Sequence, residues 1–510
     1  MKRISLNLLK VLRVILAIAI FTPILLFFVD FADILPNSLG RILEWQVMPA
    51  IFGVEVAILI VYTLLTLFLG RIYCSVICPA GILQDIFNRI SCIGKKKKNG
   101  KMRFRYRKPA NLLRYTLLGI TAILALFGIT ELCLLLDPYS NFGRIAANVF
   151  HPIVVWANNL LAGFLSSRGN YSLYNVSLTV PTIALVSGIT ALVVFAVMAY
   201  FRGRLFCNSI CPVGALLSLV SRYSFFRISI DKGACNNCKS CERSCKAEAI
   251  DAESMKIDAS RCVTCFNCTS TCNKDAIKYR FAPVAAKSSS KETSESRRSF
   301  IAAGATLAGT VPFYALASNK GSKKDTDLPV TPPGSLSVER FKDLCTGCHI
   351  CVVQCPTHIL KPAGLQYGLD YMLKPYMSYD RKYCNYSCTV CSRVCPTDAI
   401  KPISVEEKKV TQIGIARFYI DKCVVKTDKN DCGACSEHCP TQAVHMIPYE
   451  GTLTIPRVEP DLCVGCGGCE AICPVRPERA IVIISSPVHK KIELPEEEDV
   501  LDIKLDDFGF

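Results

Sequence analysis

Six short clusters of cysteine hold most of the reactive chemistry in this 510-residue chain. They are Cys235, Cys238, Cys241 and Cys245; Cys262, Cys265, Cys268 and Cys272; Cys345, Cys348, Cys351 and Cys355; Cys384, Cys388, Cys391 and Cys395; Cys423, Cys432, Cys435 and Cys439; and Cys463, Cys466, Cys469 and Cys473. These quartets take up twenty-four of the thirty cysteines. Four thiolates are the ligand set of one [4Fe–4S] cube, and close spacing lets one tight loop present three of them. Six quartets imply six cubes, a set suited to carrying electrons over a distance.

The run C-x2-C-x2-C-x3-C is the bacterial ferredoxin arrangement, in which the last Cys of each run ligates the other cluster of a pair. The expected first cluster is therefore held by Cys235, Cys238, Cys241 and Cys272. Its partner is held by Cys262, Cys265, Cys268 and Cys245. Runs three to six need the same exchange, but spacing does not say whether they pair sequentially or in a nested way. Repeated C-x2-C is a poor disulfide framework, and zinc ribbons separate their Cys pairs widely. Cys345-Thr-Gly-Cys348-His349 matches a c-type haem motif. It lies inside a complete run, so His349 reads as a spacer. Runs four and five are irregular, with wider gaps after Cys384 and Cys423. Pro356, Pro396, Pro440 and Pro474 follow the last Cys of runs three to six, whereas Lys246 and Asn273 follow runs one and two. That difference points to two separate modules.

Half of the chain is hydrophobic, 51% by composition, and the apolar mass lies before residue 222. Four stretches are long enough to span a bilayer, which needs about 20 apolar residues: 11–29, 47–69, 112–136 and 179–201. Segment 145–165 carries His151, Pro152, Asn158 and Asn159 and reads as interfacial or re-entrant, a fifth piece. Lys2, Arg3, Lys10 and Arg13, nine basic residues between Lys95 and Lys108, and Arg202 and Arg204 place three regions on the cytoplasmic side. This asymmetry accounts for most of the net charge of +17 without any nucleic acid. No cleavable signal peptide is evident. None of the four stretches contains histidine, which argues against membrane haem. Glu55 and Glu131 lie within stretches, where acids are usually functional, and either could take a quinol proton.

Two of these stretches end in the same motif. Gly70-Arg-Ile-Tyr-Cys74-Ser-Val-Ile-Cys78-Pro79-Ala-Gly81 parallels Gly203-Arg-Leu-Phe-Cys207-Asn-Ser-Ile-Cys211-Pro212-Val-Gly214. Such duplication predicts two helix pairs related by pseudo-symmetry. Cys74, Cys78, Cys207 and Cys211 could hold one further cluster or act as redox-active thiols. Cys92 and Cys133 fit no pattern.

The expected fold is an α-helical membrane bundle of four spans followed by two α+β ferredoxin-like modules. The membrane domain takes 1–222, a cytoplasmic two-cluster module 223–282, a linker 283–335, a four-cluster module 336–485 and an acidic tail 486–510. Within the linker, Ser296-Arg297-Arg298-Ser299-Phe300 and the apolar run to Ala317 form a twin-arginine pattern. Twin-arginine export carries folded, cluster-loaded domains, so the four-cluster module is expected in the periplasm.

Residues 1–280 resemble the NapH type of membrane ferredoxin, and 296–485 resemble the NapG/MauM type; the chain looks like the two fused. The resemblance implies a quinol dehydrogenase component in the cytoplasmic membrane. Its substrate would be the membrane quinol pool. Its acceptor would be an extracytoplasmic cytochrome or reductase, such as a nitrate reductase, in anaerobic respiration. Two other functions remain open. One runs electrons outward from cytoplasmic ferredoxin. The other is an assembly factor for a respiratory oxidase, since such proteins carry C-x3-C-P motifs too.

Overall fold

The structure, a computed structural model, describes residues 2–32, 34–36, 40–53, 55–93, 104–127, 129–281 and 328–493. The lysine-rich run 94–103, the twin-arginine segment 296–317 and the acidic tail from 494 lie outside the described residues. The described chain forms two compact units: one of residues up to 281 with 340–375 and 394–399, the other of 328–339, 376–393 and 400–493. The expected module 336–485 is thus shared between the units.

Unit one begins with α1 (Lys2–Val29), α2 (Arg41–Glu44), α3 (Val47–Phe52), α4 (Val56–Leu69), α5 (Tyr73–Val76) and α6 (Pro79–Ile93). It continues with α7 (Asn111–Leu126), α8 (Glu131–Leu136), α9 (Pro138–Ile145), α10 (His151–Ser166), α11 (Thr182–Arg202), α12 (Leu205–Ser209) and α13 (Pro212–Ser221). Among the described residues three helices are long and apolar enough to cross a membrane: Leu8–Val29, Pro138–Ser166 and Thr182–Arg202. Two of the four expected stretches, 47–69 and 112–136, are not among them. Stretch 47–69 leaves the helix at Gly53 and resumes only after the exposed Glu55. The 14 residues of α4 then rise about 21 Å, short of a hydrocarbon core near 30 Å. Stretch 112–136 breaks after α7, and Glu131 opens a new short helix, its carboxylate paired with buried Lys374 at 2.8 Å. The segment read as re-entrant, 145–165, instead belongs to a continuous helix. It contains a π-helical turn, Ala146–Phe150, that links α9 to α10. This helix carries the buried His151, so one long apolar helix does contain a histidine.

Two of the long helices have iron–sulfur runs at both ends. Near its start α1 is held by Lys10 Nζ donating to Ser270 Oγ, in run two, at 3.1 Å. At its far end Gln354, in run three, donates to the carbonyls of Phe27 and Asp30 at 3.2 and 2.9 Å. From Lys10 to Phe27 a helix rises about 26 Å. α11 runs the opposite way: Ile183 meets Gly364, beyond run three, while Arg202 pairs with Glu248 at 2.8 Å. Lys374 and Gln354 fasten run three to the bundle, which is why 340–375 folds with unit one.

Runs one and two form a small α+β module. Strand β1 (Phe226–Ile230) pairs antiparallel with β4 (Ile277–Phe281), and β2 (Ile250–Asp251) pairs with β3 (Lys256–Ile257). Runs five and six in unit two repeat that plan: Thr411–Phe418 pairs with Ile481–Lys491, and Val444–Pro448 with Thr454–Val458.

Asp85 on α6 docks the first module on the bundle. Its carboxylate meets Arg13 of α1 at 2.5 Å, Arg204 of the second repeat at 2.7 Å and Lys246 at 2.5 Å. Lys246 occupies the place where later runs carry proline. Burial alone would raise the Asp85 pKa, but Arg204, Lys246 and Arg13 outweigh it and hold the carboxyl far below the usual carboxylate range. Its stabilisation is therefore complete above the unfolded value near pH 3.9 and is lost only as pH falls through the depressed folded value. Asp85→Asn leaves three buried cations without their counter-charge. It should destabilise unit one by about 3–5 kcal/mol, read as a lower midpoint of thermal unfolding in detergent at pH 7.

Candidate iron–sulfur sites and the membrane-edge cysteines

The exchange of the fourth cysteine is visible in the packing. Cys235, Cys238, Cys241 and Cys272 line one cavity, and Cys245, Cys262, Cys265 and Cys268 line a second. In unit two, Cys423, Cys432, Cys435 and Cys473 line a third cavity. Cys439 instead faces Cys463, Cys466 and Cys469. In unit one Cys395, the last of run four, faces Cys345 and Cys348. Among the described residues the last cysteines are thus exchanged between runs one and two and between runs five and six, and Cys395 of run four joins run three. Cys351 and Cys355 are buried in unit one, whereas Cys384, Cys388 and Cys391 belong to unit two.

The loops are shaped for sulfur. The residues on either side of the second cysteine are left-handed in runs one, two, three and six: Asn237 and Lys239, Thr264 and Phe266, Gly347 and His349, Gly465 and Gly467. Such turns aim successive N–H groups into one concavity, a common anion and Fe–S cradle. The amide of Ala249 lies 3.4 Å from Cys245 Sγ, that of Ala416 3.4 Å from Cys463 Sγ, and that of Gly347 3.5 Å from Cys345 Sγ. Burial pushes the thiols of Cys262, Cys345 and Cys435 up to about 12. Without iron they stay protonated; ligation removes the proton and supplies the balancing charge. Among the described residues no three Cys, His, Asp or Glu side chains converge closely enough to hold a single metal ion. Thiol-only quartets spread around cavities fit a cluster better than zinc. A [4Fe–4S] cluster bound there supplies one-electron chemistry.

His349 is a spacer with a structural task. Its Nδ1 accepts from Asn148 Nδ2 at 2.8 Å, which leaves Nε2–H to donate to Leu373 O at 2.9 Å. Both ring nitrogens are committed, so neither is available to a haem iron. The contact fixes run three on the π-helical turn, an interaction no spacing rule reveals. Lys408 is a second residue the sequence reading missed. Buried in unit two, its ammonium lies 3.3 Å from Cys384 Sγ and also donates to Asn385 O.

The two C-x3-C-P motifs meet as a pseudo-symmetric pair. Cys74, Cys78, Cys207 and Cys211 are all buried and lie close enough to influence one another electrostatically. Their arginines are swapped: Arg71 Nη2 donates to Cys207 O at 3.1 Å, and Arg204 Nη1 donates to Cys74 O. A Cβ on Gly81 would lie 2.3 Å from Cys74 O, and one on Gly214 2.2 Å from Cys207 O, so each glycine clears the crossing. Gln84 Nε2 lies 3.2 Å from Cys207 Sγ, and the Gly214 amide 3.2 Å from Cys211 Sγ. Burial pushes the Cys78 and Cys211 thiols well above their ordinary range, the opposite of an activated thiolate. This platform also touches the second cluster loop. Arg71 Nη1 donates to Ser260 O at 3.0 Å, and the Arg204 amide to Lys246 O at 2.9 Å. Of the two acids singled out in the sequence, Glu131 is sequestered by Lys374 and Glu55 is exposed.

Comparison with known proteins agrees with this chemistry. A 4Fe-4S binding domain profile matches 52–101 and 184–232, the segments that hold the C-x3-C-P motifs. Profiles for 4Fe-4S dicluster domains match 258–359 and, separately, 344–399 and 430–476. The methylamine utilization ferredoxin-type protein MauM of Methylobacillus flagellatus is 30% identical over 195 residues, 36% of this chain and 78% of that protein. The chain belongs to the MauM family of ferredoxin-type proteins. This MauM-family chain is also 26% identical to MauN of Paracoccus denitrificans over 188 residues, 37% of the chain and 52% of that protein. It is 26% identical to the ferredoxin-type protein NapG of Escherichia coli over 175 residues, 31% of the chain and 72% of that protein. No solved structure matches. It is an iron–sulfur electron-transfer protein with helices suited to a membrane.

Two outcomes follow. Cys272→Ala should remove the cluster of run one while leaving that of run two, a loss of about four irons with the EPR signal of one cluster gone. Lys408→Met removes a positive charge from the Cys384 sulfur. It should shift one cluster potential to a more negative value, read by redox titration, with iron content unchanged.

Proposed function

We propose that this protein oxidises membrane quinol and passes the electrons through [4Fe–4S] clusters to an acceptor outside the cytoplasm, such as a nitrate reductase reached through a small cytochrome. The observation that carries this reading is the arrangement within unit one. Runs one and two pack at one end of α1 and α11, and run three packs at the other. One folded unit therefore offers iron–sulfur ligands at both ends of helices long enough to cross a bilayer. Quinol releases two electrons and two protons; the electrons leave singly, and the protons go to water. Cys74, Cys78, Cys207 and Cys211 are read as holding a further cluster beside the second one, and the six quartets as holding six. The membrane half corresponds to a NapH-type component fused ahead of a MauM-type polyferredoxin. Runs one and two then face the cytoplasm, and the module from 336 onward faces the periplasm after twin-arginine export.

One observation favours a second reading. Cys238 is exposed, so the first cavity opens to solvent where a soluble ferredoxin could deliver electrons for transfer outward. The two readings separate cleanly. Protein purified without oxygen should contain about 24 irons, or about 28 with a cluster at the C-x3-C-P motifs. Under the first reading, adding menadiol to this protein in nanodiscs bleaches its iron–sulfur absorbance. No bleaching by menadiol, with full bleaching by reduced ferredoxin, would establish the second. An iron content near eight would end both.

A further inference from the structure

The two repeats align when Gly70 is set against Gly203, and at four buried positions the first is polar where the second is apolar. Tyr62, Thr66, Tyr73 and Gln84 of the first repeat stand opposite Phe195, Ala199, Phe206 and Leu217 of the second. All eight are buried. In the second repeat Phe195 and Phe206 pack with ring centroids 4.4 Å apart; in the first, Tyr62 and Tyr73 pack at 4.9 Å. The apolar set thus performs the same packing, and the scaffold needs no hydroxyl or amide at these positions.

The polar set is nevertheless built with care and left incomplete. Tyr73 OH donates to Gln46 Oε1 at 3.0 Å and accepts from the Val47 amide at 3.2 Å, while Tyr62 OH donates to Trp45 O. Those bonds orient Gln46 but leave its Nε2 without a partner, together with Thr66 Oγ1 and Gln84 Oε1, among the described residues. Gln46, Thr66 and Gln84 are each 0% exposed. Buried polar atoms without partners are costly, and here the other repeat shows the inexpensive alternative. The group contains no charged side chain, so its complement is a neutral molecule with both hydrogen-bond donors and acceptors. Trp45, Ile60 and Val61 beside it are exposed on the apolar exterior, so the approach is from lipid. Tyr73 adjoins Cys74 in the chain and lies close to Cys78.

We propose that this polar half of the repeat binds the headgroup of a quinone or quinol, with the amide of Gln46 and the hydroxyl of Thr66 as its hydrogen-bonding groups. The assignment rests on the quinol reading above and gives that reading a location. The second repeat is the apolar twin that keeps the fold without binding.

The chain has two tryptophans, Trp45 and Trp156. In full-length Trp156→Phe protein in nanodiscs, Trp45 becomes a lone reporter beside the site. Titration with oxidised ubiquinone-1 should quench it saturably. Thr66→Ala, which installs the residue found opposite at Ala199, and Gln46→Leu should each raise the half-saturation point about tenfold, with iron content unchanged. Quenching that rises linearly in the parent, or half-saturation unchanged in both variants, overturns the site. Menadiol bleaching of the same samples keeps the two claims apart. Bleaching without saturable quenching removes this site and leaves the quinol reading standing. Saturable, variant-sensitive quenching without bleaching keeps the site and removes the dehydrogenase.

Discussion

A single half-buried carboxylate organises unit one. Asp85 gathers three cations from three different parts of the chain: the first long helix, the second C-x3-C-P repeat and the loop just after Cys245. Charges so deeply buried are tolerated only when paired, so none of these elements can move away alone. The second cluster loop is thereby fixed against the membrane-edge cysteines, and Arg71 reinforces that contact through Ser260. Electron transfer needs centres that stay close, and this network supplies the closeness through electrostatics where a small module could not do so with its own core.

The cysteine chemistry was legible in the sequence because it is local. Three cysteines of each run lie close together in sequence, whereas the division of 336–485 between two units leaves no trace in the spacing. The exchange of Cys245 and Cys272 followed from spacing, and the cavities are lined accordingly. The helical layout was less legible. Hydropathy sees apolar length but not interruption, so 47–69 and 112–136 looked continuous although Glu55 and Glu131 each mark a new start. Conversely, His151, Asn158 and Asn159 made 145–165 look interrupted, but His151 is buried and Asn159 bonds to Val176, so the helix persists. The tertiary residues Asp85, Lys246, Lys374, Gln354 and Lys408 give no signal, because a lone polar side chain reads as surface until its partner is known. In the sequence Lys246 stands out only as a missing proline.

The internal duplication has a further meaning. Swapped arginines and paired glycines make the two repeats a symmetric clamp around four cysteines. Symmetry of that kind is a scaffold property. The departures from it, among them the polar Tyr62, Thr66, Tyr73 and Gln84 of the first repeat, are where a substrate would be distinguished. In the small modules, runs one and two and runs five and six likewise share one strand plan.

The central claim is that iron–sulfur ligands lie at opposite faces of the membrane within one folded unit. The most direct measurement inserts a protease recognition site either after Leu365, in the run-three region, or after Lys232, in the first module, and treats intact spheroplasts. The account predicts cleavage of the Leu365 insertion and full protection of the Lys232 insertion until the membrane is broken. Cleavage of both, or protection of both, would place the two regions on one side and contradict it.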